Sequence, residues 1–208
     1  MDMASLICVI GAYLIGSISF AVLASRIFHL PDPRSYGSGN PGAANVLRSG
    51  KVPAALFTLL GDAAKGVVGV ELARLLAPSF GLGPTTVALC ALAVVLGHLY
   101  PVFFGFKGGK GVATSFGALL ALSPWAALVA AAVFLVVVAL FRYVSLASIL
   151  AAGAAVVVSP LVLGWGAESG AVLAIAALVI WRHRANLQRL RRGTESKLNL
   201  RSGAPRTG

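Results

Sequence analysis

Long apolar runs separated by short polar stretches set the order of this chain. The runs fall at residues 6–23, 53–76, 85–104, 111–122, 124–140, 146–163 and 171–181. Most approach the roughly 20 residues that a helix needs to cross a bilayer. Backbone groups in hydrocarbon must pair within their own segment, so the runs predict helices rather than open strands. The run at 111–122 is too short for a full crossing unless the bilayer thins or the helix lies inside a bundle. The pattern predicts an all-α polytopic membrane protein with seven transmembrane helices. It forms one integral membrane domain over 1–208, with a basic tail from about residue 187.

Composition narrows this further. Hydrophobic residues make up 58% and charged residues 11% of the 208, against about a quarter charged in soluble domains. That excludes a disordered chain and argues against a soluble one. The net charge of +11 is uneven. Arg26, Arg34, Arg48 and Lys51 follow the first run, Lys107 and Lys110 the third, Arg142 the fifth, and eight Lys and Arg from Arg182 to Arg206 the seventh. The opposite connections hold little beyond Glu71, Arg74 and Glu168. The positive-inside rule then predicts the N-terminus outside and the C-terminus in the cytoplasm. Behind a span, the basic tail suits anionic lipid better than nucleic acid. The first run lacks a cationic n-region and is expected to be retained as a helix. Cys8 and Cys90 form no zinc or disulfide pattern.

Three polar clusters fall on the side predicted to be cytoplasmic. The first runs from Asp32 to Arg48 and combines Gly37, Gly39 and Gly42 with Ser38, Asn40, Asn45 and two arginines. Glycine lets backbone N–H groups converge on an anion, and arginine offers a fork matched to phosphate. A plain connecting loop is an equal reading of this cluster alone. The second cluster, Gly97-His98 to Thr114, contains Lys107-Gly108-Gly109-Lys110-Gly111. It resembles a phosphate cradle, but Phe104 and Gly111 break the Walker A spacing. The third cluster is Arg182-His183-Arg184-Ala185-Asn186. His183 and Asn186 are predicted to share a face of one continuing helix ended by Gly193; a snorkelling basic collar explains the same residues.

Asp62 and Lys65 sit one turn apart inside the second run, where charges usually pair or line a cavity. Ser145 and Ser148 open the sixth run and either cap it or face the site. No metal-ligand spacing appears, and no metal or cofactor is expected. Cations, glycines and one histidine on one face suit a phosphorylated substrate. An enzyme acting on a lipid phosphate and a transporter of a phosphorylated anion both fit. The lack of two related halves with broken helices favours the enzyme.

The ordered motifs G-S-G-N-P-G-A-A-N-V-L-R, G-H-x-x-P-V-F-x-x-F-K-G-G-K-G-V-A-T and R-H-x-x-N-L-x-R-L-x-x-G-x-E resemble the bacterial acyl-phosphate-dependent glycerol-3-phosphate acyltransferases. Asp62-x-x-Lys65-Gly66 and Gly16-Ser17-Ile18 match as well, with departures at Ser19, Ala44 and Leu187. The resemblance implies acyl transfer from acyl phosphate to the 1-hydroxyl of sn-glycerol 3-phosphate, giving lysophosphatidate and phosphate in phospholipid synthesis. It also implies a site on the cytoplasmic face of the bacterial inner membrane. Acyl-CoA and acyl carrier protein are not expected as direct donors. The H-x-x-x-x-D motif of other glycerolipid acyltransferases is absent.

The expected catalytic residues are Ser38, Arg48, His183 and Asn186. Asn40, Asn45, Lys107, Gly108, Gly109, Lys110 and Ser145 are expected to bind substrate and its phosphates. The proton acceptor is either His183 or a substrate phosphate, and direct attack is favoured over an acyl-Ser38 intermediate. The expected partners are the two substrates and membrane lipid, with no nucleic acid, and the chain is expected to be a monomer.

Overall fold

The computed structural model describes residues 1–198, and every regular element among them is helical. The helices are α1 (Met3–Gly16), α2 (Phe20–Ile27), α3 (Ala43–Val46), α4 (Val52–Phe80), α5 (Pro84–Leu99), α6 (Val112–Leu122), α7 (Pro124–Phe141), α8 (Val144–Leu163), α9 (Ala167–Arg182) and α10 (Arg184–Arg191). Helix starts follow local chemistry: proline opens α5 and α7, and the Ser123 hydroxyl caps α7 by accepting from the Ala126 N–H. Residues 199–208 of the basic tail, with Arg201 and Arg206, lie outside the described residues.

Among the described residues four stretches are long and apolar enough to cross a membrane: Met3–Ile27, Pro84–Phe104, Pro124–Phe141 and Val144–Leu163. Helix α4 has 29 residues but carries Asp62, Lys65, Glu71 and Arg74 along its length. The bundle is inverted relative to a soluble core. Its interior is built mainly of Ala and Val, while Leu60, Leu75, Leu128, Leu135, Leu140 and Leu161 face outward. Lipid tails are as apolar as leucine, so the helices gain from close backbone packing rather than from hiding large side chains. Glycines make that packing possible. A Cβ on Gly16 or Gly97 would overlap the facing backbone where α1 meets α5, and one on Gly66 or Gly117 would do so where α4 meets α6.

Two expectations are corrected here. The run at 6–23 is not one helix. Its backbone breaks between Gly16 and Phe20, where Ser17 Oγ donates to the Tyr13 carbonyl at 2.9 Å and Ser19 caps α2. The break frees the Ile18 carbonyl, which accepts from Lys65 Nζ at 2.6 Å. The helix after the seventh run is not continuous either. His183 sits at a break between α9 and α10 rather than within one helix. Gly193 does end α10, in the left-handed conformation at φ 68°, with Thr194 N–H on Arg189 O and Gly193 N–H on Leu190 O.

The two ends of the bundle differ. At one end Arg74 of α4 donates to the carbonyls of Ala121 and Leu122, capping the short α6, and lies 3.6 Å from Glu168. The other end gathers the loops before α4, between α5 and α6 and between α7 and α8 with the segment after α9. Arg182 joins the loop between α5 and α6, Ser145 joins Glu195, and the Leu198 N–H donates to Arg142 O at 2.7 Å.

Candidate active site

The loop before α4 is shaped from within. Gly37 turns at φ 60°, and a Cβ there would overlap Asn45 Oδ1. Asn45 Oδ1 accepts the Ser38 N–H at 2.8 Å, while Nδ2 donates to Pro33 O at 2.7 Å and Tyr36 O at 3.1 Å. The buried Asn45, expected to bind phosphate, therefore commits both ends of its amide to the loop. It holds the Ser38 N–H in place. At the loop's start Arg34 grips Asp32 through two hydrogen bonds, holding that carboxyl below its ordinary range. Ser38 and Arg48 are exposed. Asn40 packs its amide against Gly42.

The loop between α5 and α6 is pinned from below. The Gly109 N–H donates to His98 O at 3.2 Å. Arg182 donates to Gly108 O at 3.0 Å and to Gly109 O at 2.9 Å, while its guanidinium lies 5.6 Å from the Tyr100 ring centre. Arg182 thus draws both carbonyls of this turn to itself. Lys107 is exposed at its edge. Pro41 O of the first loop lies beside Gly109.

Lys110 links the loop to the segment after α9. Its Nζ donates to Asn186 Oδ1 at 2.6 Å, and Asn186 Nδ2 donates to Glu195 Oε1 at 2.6 Å. Glu195 also accepts from Ser145 Oγ at 2.7 Å and Arg189 Nε at 2.7 Å. Burial raises the Glu195 carboxyl, but the hydrogen bonds from Ser145, Asn186 and Arg189 outweigh it and hold the group below its ordinary range. Burial lowers Lys110 to about 8, with Glu195 opposing and Arg189, Arg182 and Arg48 reinforcing the shift. Those three charges place the first and third clusters within electrostatic reach of Lys110. His183 is buried, and its Nδ1 meets the Val179 carbonyl at 2.8 Å. A carbonyl can only accept, so Nδ1 carries the proton and Nε2 is left as an acceptor. Burial first, then Lys110 and Arg182, push His183 down to about 4, with the Val179 contact opposing. It is neutral near pH 7.

The site thus brings Lys110, Asn186 and Ser145 into one hydrogen-bonded chain through Glu195. Lys107 and Ser38 stand at the rim. Three contributors escaped the sequence reading. Glu195 is the lone carboxylate in the basic tail and the hub of the chain; that isolation was its signal. Arg182 resembled a snorkelling collar. His98, with its Nδ1 3.2 Å from Thr114 Oγ1, resembled an ordinary helix-end histidine. Among the described residues no three His, Cys, Asp or Glu side chains gather as metal ligands.

Activity should follow the charge on Lys110. The cation is present near pH 7 and is lost as pH rises through about 8 rather than near 10.5. The kcat/KM for a phosphorylated substrate, which reports the free enzyme, should fall above that pH. Lys110→Arg, which stays charged, should remove this limb. A pH–rate series on both proteins checks it.

A family model described as glycerol-3-phosphate acyltransferase matches residues 6–193. Glycerol-3-phosphate acyltransferases of Thiobacillus denitrificans (54% identical over 96% of this chain and 100% of its relative) and Nitrosospira multiformis (55% over 93% and 96%) are similar throughout. The crystal structure of PlsY (YgiH), an integral membrane glycerol 3-phosphate acyltransferase in its glycerol 3-phosphate form, superposes with a TM-score of 0.86. It is 41% identical, over 94% of this chain and 96% of that one. The lysophosphatidic acid form of PlsY gives 0.84 at 40% identity, over 94% and 96%. An all-helical membrane bundle with a cationic, glycine-lined site at one end, matched along nearly its whole length, belongs to the glycerol-3-phosphate acyltransferase family of enzymes.

Proposed function

We propose that the protein transfers a fatty acyl group from acyl phosphate to the 1-hydroxyl of sn-glycerol 3-phosphate, releasing lysophosphatidate and inorganic phosphate. The observation that carries this reading is the glycine turn at Gly108-Gly109 with Lys110 tied to Asn186 and the charges of Arg48, Arg182 and Arg189 around it. The relatives' glycerol 3-phosphate and lysophosphatidic acid forms support the same acceptor and product here.

The chemistry is modest because acyl phosphate is a mixed anhydride with a good leaving group. The glycerol hydroxyl oxygen attacks the acyl carbonyl carbon, the carbonyl carbon–phosphate oxygen bond breaks, and the electron pair leaves with phosphate. The site must hold two phosphates, align the hydroxyl and stabilise the carbonyl oxygen as it gains charge. Arg48, Lys107 and Lys110 supply charge. Asn186 and Ser145 fix Lys110 and Glu195, Asn40 and Asn45 keep the first loop in shape, and Ser38 offers a hydroxyl at its rim. His183, low in basicity, is a poor general base. Its Nε2 accepts a hydrogen bond from the substrate, and the hydroxyl proton passes to a phosphate oxygen, which titrates near pH 6. Protein reconstituted with glycerol 3-phosphate should form lysophosphatidate from acyl phosphate; product from acyl-CoA alone would overturn the donor.

The same reading includes seven crossings by a monomer in the bacterial inner membrane. The N-terminus lies outside, and the site and basic tail are cytoplasmic among anionic lipids. Cysteines introduced at Ser35 and Gly193 should label from the cytoplasmic side and one at Glu168 from outside. Labelling of positions 35 and 193 from opposite sides would mean that α6 does not cross.

A further inference from the structure

Beneath the glycine turn lies a charged cluster that the reaction does not consume. Asp62 and Lys65 of α4 pair at 2.8 Å and are 2% and 3% exposed. His98 of α5 brings Nδ1 to 3.5 Å from Asp62 and 3.2 Å from Thr114 Oγ1 of α6. Lys65 reaches on to Ile18 O at the break between α1 and α2. Five helices thus meet at one polar node. Removing ions from water costs several kcal/mol each, and a buried pair rarely returns a net gain. Ionisable groups inside a membrane bundle are accordingly rare and tied to function.

The node touches the turn at one residue. The His98 carbonyl accepts the Gly109 N–H at 3.2 Å, and the His98 ring edge fills the space where a Gly109 Cβ would sit. Lys65, His98, Gly108 and Gly109 line a common crevice with Ser19 and Pro41. We propose that the Asp62–Lys65–His98–Thr114 node is a positioning device that holds the Gly108-Gly109 turn in its phosphate-binding shape, with His98 as the contact. The proposal rests on the phosphate-binding role of that turn. Asp62 pairs with Lys65 and lies 3.5 Å from the His98 ring, Thr114 orients that ring from α6, and the Ile18 carbonyl fixes Lys65. The orientation of the turn is thereby tied to the packing of α4, α5 and α6.

Thr114→Val removes the hydroxyl and keeps the volume, so it leaves the bundle assembled. It should raise the KM for glycerol 3-phosphate or acyl phosphate roughly 3- to 10-fold, as loss of one buried hydrogen bond does, with a smaller change in kcat. Thr114→Ser should restore the wild-type constants. His98→Gln should raise the same KM further, in protein whose gel-filtration profile is unchanged. Lys110→Ala is the control for the phosphate-binding reading itself. If Lys110→Ala raises KM while Thr114→Val and His98→Gln change only thermal stability, the positioning role is wrong and the phosphate site stands. If Lys110→Ala is also silent, the phosphate reading falls first. Equal loss of activity in Thr114→Ser and Thr114→Val would likewise overturn the hydrogen-bonded role.

Discussion

Gly108→Ala should lower kcat/KM by about 100-fold, the scale of loss that follows a misplacement of about 1 Å in a catalytic site. The new methyl group would overlap the His98 carbonyl oxygen and lie 2.6 Å from both the Leu99 carbonyl oxygen and Pro101 Cδ. Two of those three atoms are backbone, so relief requires the turn to move rather than a side chain to rotate. Moving the turn carries Gly109 and Lys110 away from Arg182 and Asn186 together. The effect should appear mainly as a raised KM for a phosphorylated substrate, because the turn is proposed to hold phosphate and no proton-transfer group sits on it. Steady-state kinetics in detergent, varying each substrate in turn, check this. Wild-type constants for both substrates would reduce the turn to a topology anchor.

Asn186→Ala should be as damaging for a different reason. Its amide is the bridge between a cation and an anion, donating to Glu195 and accepting from Lys110, each at 2.6 Å. Hydrogen bonds to charged groups are worth roughly 1.5–3 kcal/mol each. Loss of both should reduce kcat/KM about 100-fold and stability by about 2 kcal/mol, since Lys110 and Glu195 remain partly buried without their link. Asn186→Asp should not rescue activity. It can accept from Lys110, but it sets a second carboxylate against Glu195. Kinetics together with thermal unfolding of both variants separate the site effect from the stability effect.

The helical positions were legible because hydropathy alone fixes where a chain can sit in a bilayer. The runs at 124–140 and 146–163 closely track α7 and α8. The break at Gly16–Ser19 was hidden, because an apolar window does not report that serine hydroxyls compete for helix carbonyls. The hinge at His183 was hidden for a related reason. Its side chain turns back onto Val179 O and ends α9, which a helical-face argument treats as continuous. The glycines and cations of the turn at Lys107–Gly111 were readable as a candidate anion site. The parts that organise it were not, because Arg182, Glu195 and His98 act across 16 to 73 residues of sequence on Gly109, Ser145 and Thr114. Single-sequence spacing carries no such distances. Asn45 shows the converse: its residue type suggested a ligand, and its buried amide is hydrogen-bonded to Ser38, Pro33 and Tyr36 within its own loop.

Phosphate release without acceptor tests the proposed direct, one-step transfer most directly. Purified protein is mixed with acyl phosphate in EDTA, with and without glycerol 3-phosphate, and inorganic phosphate and lysophosphatidate are measured together in the first turnovers. Direct attack predicts that phosphate appears only with the acceptor present, in amounts equal to lysophosphatidate. A burst of phosphate equal to the enzyme concentration without acceptor, with an acyl group left on Ser38, would contradict it.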